Sequence, residues 1–267
     1  MENNVTGQAG ANSGINAFVL KIIAITAMVC DHASVVFMPG QFTLLRVIGR
    51  LGFPIFAFMI AQGAAKTRSI PKYMLRLLVF GVISEIPFDF VLFSEGKNPF
   101  DFGGTNVYFT LLAGLFAIYC IRTFKEKYRA LIPAGIILSL LFAWAVNTDY
   151  SVPGTVCIIL FYLFSSCKKP MKIFGYTLAV ISVCLTFATL PDCLEAAGAN
   201  SLPLTDVLKK IPATLTVNPL ELPAFLSLPF IILYNGEKGA NFNKYFFYAF
   251  YPGHIVVLYL ISLLFLR

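Results

Sequence analysis

Charge is what this chain has least of. Only 12% of its 267 residues are Asp, Glu, Lys or Arg, about half the share of an ordinary soluble domain and too little to give a core of this length a polar shell. A soluble enzyme is thereby excluded. Histidine occurs only twice, too sparsely for a zinc centre with three or four converging ligands, so no metal is expected. The six cysteines stand singly, without a CxxC pair, and signal neither a zinc site nor a disulfide framework. Walker, GxGxxG and GxSxG loops are missing, as is an internal repeat of the kind that marks many secondary transporters. The net charge of +7 comes in short clusters between apolar runs, the pattern of membrane topology and not of a nucleic-acid-binding face.

What is there is apolar: 58% of residues are hydrophobic and the mean hydropathy is +0.79. A spanning helix needs about 20 such residues. About nine runs approach that length, at 18–38, 44–64, 73–93, 106–121, 130–146, 152–166, 173–190, 220–234 and 245–266. The pattern predicts an all-α polytopic membrane protein of about nine transmembrane helices. A flexible tail is expected over 1–16 and one transmembrane domain over 17–267. The sixth and eighth runs are short and carry prolines (Pro153; Pro223 and Pro229), so breaks or re-entrant turns are expected there. The more polar stretch 191–219 is the one connection long enough to shape an entrance. The hinges after runs two, four, six and eight hold twelve Lys and Arg residues, against four in the alternate hinges and the C-terminus. That bias places the N-terminus inside.

Ionisable side chains inside a bilayer are costly and tend to face a cavity, so each is a functional candidate. The runs contain Asp31, His32, Arg46, Arg50, Glu85, Asp89 and His254. At about 1.5 Å per residue, His32, Arg50 and Glu85 all reach a layer roughly 18–21 Å from the inner end, with His254 at about 14 Å. Asp31 and His32 are neighbours about 100° apart round the helix, so their partners must come from elsewhere. Arg46 and Arg50, and likewise Glu85 and Asp89, are spaced i, i+4 and share a face unless Pro87 distorts the second pair. Opposed, the two pairs would neutralise each other. Such pairs also fit a purely architectural ion pair that fixes helix order. An imidazole at the depth of carboxylates and a guanidinium is suited to take a proton.

The segments Leu20-Lys21-Ile22-Ile23-Ala24 leading to Asp31-His32, and Leu45-Arg46-Val47-Ile48-Gly49-Arg50-Leu51-Gly52-Phe53-Pro54, resemble the opening of the TraX family. Arg76, Ile83-Ser84-Glu85-Ile86-Pro87-Phe88-Asp89, Asn106 to Thr110, Tyr234-Asn235-Gly236-Glu237-Lys238-Gly239 and Tyr251-Pro252-Gly253-His254 continue the resemblance in order and spacing. It implies a multi-pass protein of the bacterial cytoplasmic membrane that acetylates a pilin amino terminus, and a more distant likeness to membrane acyltransferases. On that reading, acetyl-CoA is the donor substrate, membrane lipid surrounds the protein, and the acceptor is an amine or hydroxyl on a peptide, glycan or lipid. His32 would be the general base, Asp31 or Glu85 would tune it, Arg50 would hold carboxylates or the oxyanion, and His254 would handle a second proton. Arg46, Asp89 and Asn106 would help bind substrate, and Lys66, Arg68, Lys72 and Arg76 would meet the CoA phosphates at the inner rim. A transporter or flippase using the same charged layer is the alternative.

Overall fold

The computed structural model describes residues 14–93, 104–186, 216–241 and 243–265. Over these the chain is a bundle of helices with one two-residue strand pair. The helices are α1 (Ala17–Phe37), α2 (Leu44–Gly49), α3 (Gly52–Lys66), α4 (Ile70–Phe88), α5 (Val107–Phe124), α6 (Leu131–Ala145), α7 (Ser151–Phe164), α8 (Lys169–Val183), α9 (Leu228–Ile232) and α10 (Lys244–Phe265). Several begin on side chains suited to cap a helix: Asn16, Thr43, Ser69 and Asn106 each accept a backbone N–H from the first turn that follows, satisfying donors the helix itself cannot.

Among the described residues, four stretches are long and apolar enough to cross a membrane: Ala17–Phe37, Leu44–Lys66, Val107–Phe124 and Tyr245–Leu264. The helices α6, α7 and α8 have only 14 or 15 residues, about 22 Å, short of a hydrocarbon core of about 30 Å. The ninefold pattern thus resolves into long helices and shorter ones packed beside them. The second run breaks at Arg50 and Leu51, between α2 and α3. The third continues past Pro87 into a π-helical turn, Asp89–Phe93, as expected where proline removes a donor from the ladder. The sixth stays an unbroken helix despite Pro153, whereas the eighth divides into a 3-10 helix, Pro219–Ser227, followed by α9. Of the expected tail, Ile15 pairs with the 233–235 turn through two backbone hydrogen bonds of 2.8 and 3.0 Å; residues 1–13 lie outside the described residues, as does most of the expected entrance, 187–215.

At the centre, α3 buries Phe53, Ile55, Ala57, Phe58, Ala61 and Ala64. Phe58 meets Phe161, Tyr176 and Tyr234 edge-on at 5.4–5.5 Å, an arrangement that suits ring quadrupoles. The exterior is apolar too, with Leu75, Val82 and Ile86 of α4, Leu138 and Leu141 of α6, and Val257 and Leu260 of α10 all exposed. That is the surface of a protein solvated by lipid.

Two details place the site. Strands β1 (Leu185–Thr186) and β2 (Thr216–Val217) pair antiparallel, and Asn218 N–H donates to Cys184 O at 2.8 Å, so the 3-10 helix starts beside the end of α8. A Cβ on Gly49 would stand 2.5 Å from Asp31 Cβ. Only glycine lets α2 lie this close to α1.

Candidate active site

A cavity of about 300 Å³ opens between α1, the α2–α3 break and the start of α7; Asp31, His32, Arg46, Arg50, Phe53, Asp149, Tyr150 and Tyr251 are among its walls. A larger one of about 720 Å³ adjoins it, sharing Val35, Arg46 and Leu92. Arg46 therefore stands at the junction of the two.

His32 and His254 meet across 222 positions, with Nδ1 of His32 2.7 Å from Nε2 of His254 and the rings nearly parallel at 11°. The other nitrogen of His254, Nδ1, lies 2.9 Å from Phe250 O. A carbonyl only accepts, so Nδ1 of His254 carries a hydrogen, and in the neutral ring Nε2 is then the acceptor. It follows that Nδ1–H of His32 is the donor. The lone pair of the cavity-lining histidine is on Nε2, the nitrogen His254 does not use.

Asp31 does not touch His32's partner; it anchors the arginines. Its Oδ1 accepts from Nη2 of Arg50 at 2.5 Å and from Nη1 of Arg46 at 3.1 Å, so the i, i+4 pair does share a face. Arg50 also donates through Nη1 to Glu221 Oε1 at 2.5 Å. Two guanidinium groups and two carboxylates make a formally neutral, largely buried net of charge-assisted bonds. The expected partnership of Arg50 with Glu85 is not formed. Instead, Glu85 Oε2 accepts from the Asn106 side-chain amide and, at 3.4 Å, from its backbone N–H. Asn106 also donates to Gly81 O at 2.9 Å and caps α5 through Tyr108 N–H. Glu85 and Asn106 thus join α4 to α5, and neither lines the cavity. Asp89 is buried at the first position of the π-turn.

The four basic residues expected at the donor phosphates do not gather on this cavity either. Lys66 donates to Tyr234 Oη at 3.1 Å and to Gly236 O at 2.6 Å, Arg68 and Lys72 are exposed at the start of α4, and Arg76 packs on the Tyr73 ring at 5.4 Å.

Glu221, Asp149, Tyr150 and Tyr251 join the site without having stood out as site residues. Glu221 sits in a proline-rich run with no helical periodicity to aim it. Asp149 reads in sequence as a loop charge only, yet its loop is special. Asn147 and Ser151, at φ of 50° and 41°, are the two non-glycine residues in left-handed conformation among the described residues, and such strain collects where surroundings impose a shape. Between them Tyr150 stacks on Phe53 at 3.7 Å and 8°. Among the described residues no three His, Cys, Asp or Glu side chains cluster as metal ligands would.

The model of the TraX protein family matches residues 17–262. A probable fimbrial assembly protein FimC, serogroup H1, from Dichelobacter nodosus is 32% identical over 258 residues, covering 92% of this chain and 96% of that one. An uncharacterized protein of Rickettsia prowazekii (strain Madrid E) is 26% identical over 175 residues, 64% of this chain and 65% of the other. No solved structure matches. The family model takes in the described helices, the last of them up to residue 262, and both histidines of the pair: the chain belongs to the TraX family.

Proposed function

We propose that the chain is a membrane acyltransferase, moving an acetyl group from cytoplasmic acetyl-CoA to an amine or hydroxyl at or beyond the outer face of the bacterial cytoplasmic membrane. The observation that carries this reading is the histidine pair. A general base needs an unprotonated nitrogen held in one orientation, and the Phe250 carbonyl, through His254, leaves Nε2 of His32 in that state. Nε2 takes the proton of the acceptor as it attacks the thioester carbonyl; the C–S bond then breaks and the departing thiolate is reprotonated.

Arg46 suits the developing oxyanion better than Arg50 does. It engages Asp31 through one nitrogen and is 30% exposed, while Arg50 is 11% exposed and spans two carboxylates. Its place at the junction of the two cavities puts it within reach of groups held in either. The end of the bundle carrying the 67–69, 125–130 and 165–168 connections is rich in Lys and Arg and faces the cytoplasm on this reading. The fimbrial assembly relative makes a pilus or fimbrial subunit the first acceptor to try.

The test uses the purified protein in lipid nanodiscs with radiolabelled acetyl-CoA and a pilin amino-terminal peptide. His32→Ala is expected to lower transfer about 10²–10⁴-fold with CoA affinity near wild type. Unchanged turnover removes His32 from the mechanism, and substrate uptake by proteoliposomes without acetyl-CoA favours the transport alternative.

A further inference from the structure

At the end of the bundle opposite the histidine cavity, a second polar cavity of about 430 Å³ lies between the ends of α3, α7, α8 and α9. Lys169 and Lys172 line it together with Gln62, and Phe58, Tyr176 and Tyr234 form an aromatic side. Neither lysine has a salt-bridge partner among the described residues, and Lys172 is half-buried. Lys169 is exposed at the mouth, and an ammonium on the half-buried Lys172 is less screened by bulk water, so the cavity is suited to an anion.

Other basic groups at this end are differently placed. Lys66 is held by Tyr234 and Gly236, Arg122 donates to Ala64 O, and Nε of Arg129 donates to Lys125 O at 2.7 Å. Positive-inside topology accounts for cations on a rim, and the exposed Lys169 fits that alone; it does not account for the half-buried Lys172, without a salt-bridge partner among the described residues, on the wall of a cavity that Gln62 and aromatic rings also line. A phosphate ester combines the required features: a compact anion for point-charge lysines, and an attached organic part for the ring side. The volume exceeds that of phosphate alone and leaves room for the attached group.

We infer that this cavity binds a phosphate ester through Lys169 and Lys172. The chemistry is shared by the phosphates of coenzyme A and by the headgroup of an anionic phospholipid. None of the four basic residues first expected to meet the donor is among the cavity's walls, although Lys66 stands at its edge, bonded to the lining residues Tyr234 and Gly236; what is inferred is binding, not transfer.

The experiment uses the full chain in phosphatidylcholine nanodiscs. Coenzyme A is titrated by calorimetry in one arm; in the other, phosphatidylglycerol is supplied and its retention read by native mass spectrometry. At least one probe is expected to bind, and Lys169→Gln with Lys172→Gln to weaken that binding tenfold or more while the melting temperature is kept. Lys125→Gln with Lys127→Gln, an equal loss of charge at the same end, should change it less than twofold. The arm that responds identifies the source of the phosphate. Binding of neither probe, an unchanged affinity in the Lys169/Lys172 variant, or an equal loss in the Lys125/Lys127 control each overturns the inference. None of these results depends on His32, so the transfer reaction stands or falls separately.

Discussion

Arg50 and Glu221, 171 positions apart, are joined at 2.5 Å, while the other terminal nitrogen of the same guanidinium holds Asp31 at the same distance. Removing Arg50 strands two carboxylates in a largely buried setting. Arg50→Met is expected to destabilise the protein by about 3–5 kcal/mol. Combining it with Glu221→Met should recover part of that loss, whereas combining it with Glu85→Leu should be additive within about 0.5 kcal/mol. Denaturant unfolding of the three single and two double variants in mild detergent distinguishes the cases; coupling between Arg50 and Glu85 equal to that with Glu221 would contradict the observed net.

The histidine pair makes a prediction about tautomers. Nitrogen-15 spectra of labelled protein should show both rings protonated on Nδ1. His254→Phe removes the acceptor for His32 Nδ1–H and should lower transfer about 10–10²-fold, less than loss of the base itself. His254→Gln restores a carbonyl acceptor and should recover part of the rate. A glutamine variant as slow as the phenylalanine one would mean that the hydrogen bond does not serve His32.

Gly49 tests the closeness of α1 and α2. In Gly49→Ala the new methyl meets Asp31 Cβ and Oδ1 at 2.5 and 2.6 Å, and the helices must separate. A loss of about 1–3 kcal/mol is expected, with weakened transfer because Asp31 moves away from Arg46. Wild-type melting would show that the contact relaxes freely.

Ser151, at a φ of 41°, stores strain that glycine would not. Ser151→Gly should raise stability by about 0.5–1 kcal/mol, and Ser151→Val should lower it, both read from unfolding midpoints. A stabilised glycine variant with slower transfer would tie the strained loop, and Asp149 and Tyr150 within it, to the reaction.

Helical spacing made some of this site legible in the chain and left the rest hidden for a geometrical reason. That Asp31 and His32 need separate partners, and that Arg46 and Arg50 share a face, follows from 100° per residue and both are seen, though the carboxylate that face meets is Asp31. Depth along a straight helix put Arg50 and Glu85 in one layer, yet rise says nothing of which way a helix faces its neighbours. Glu85 faces Asn106, and Arg50 faces Asp31 and the 3-10 turn. Glu221 lay in a run whose prolines break the periodicity on which such readings depend. The His32–His254 contact rests on packing of α1 against α10, which no local pattern encodes. The apolar runs 130–146 and 173–190 are longer than α6 and α8, because apolar composition continues past the last helical turn, whereas the short sixth run matches α7 to within two residues at each end.

The histidine pair also has a meaning for how the protein is made. One ring is supplied by the first described helix and the other by the last described helix, and a chain emerging from the ribosome delivers them far apart in time, since synthesis adds only about 5–20 residues per second. Until α10 is in place, His32 lacks the His254 acceptor for its Nδ1 hydrogen and α1 lacks part of its packing. A nascent or truncated chain therefore holds Asp31, Arg46 and Arg50 but not the histidine pair. The histidine pair is completed only when the last described helix packs against α1.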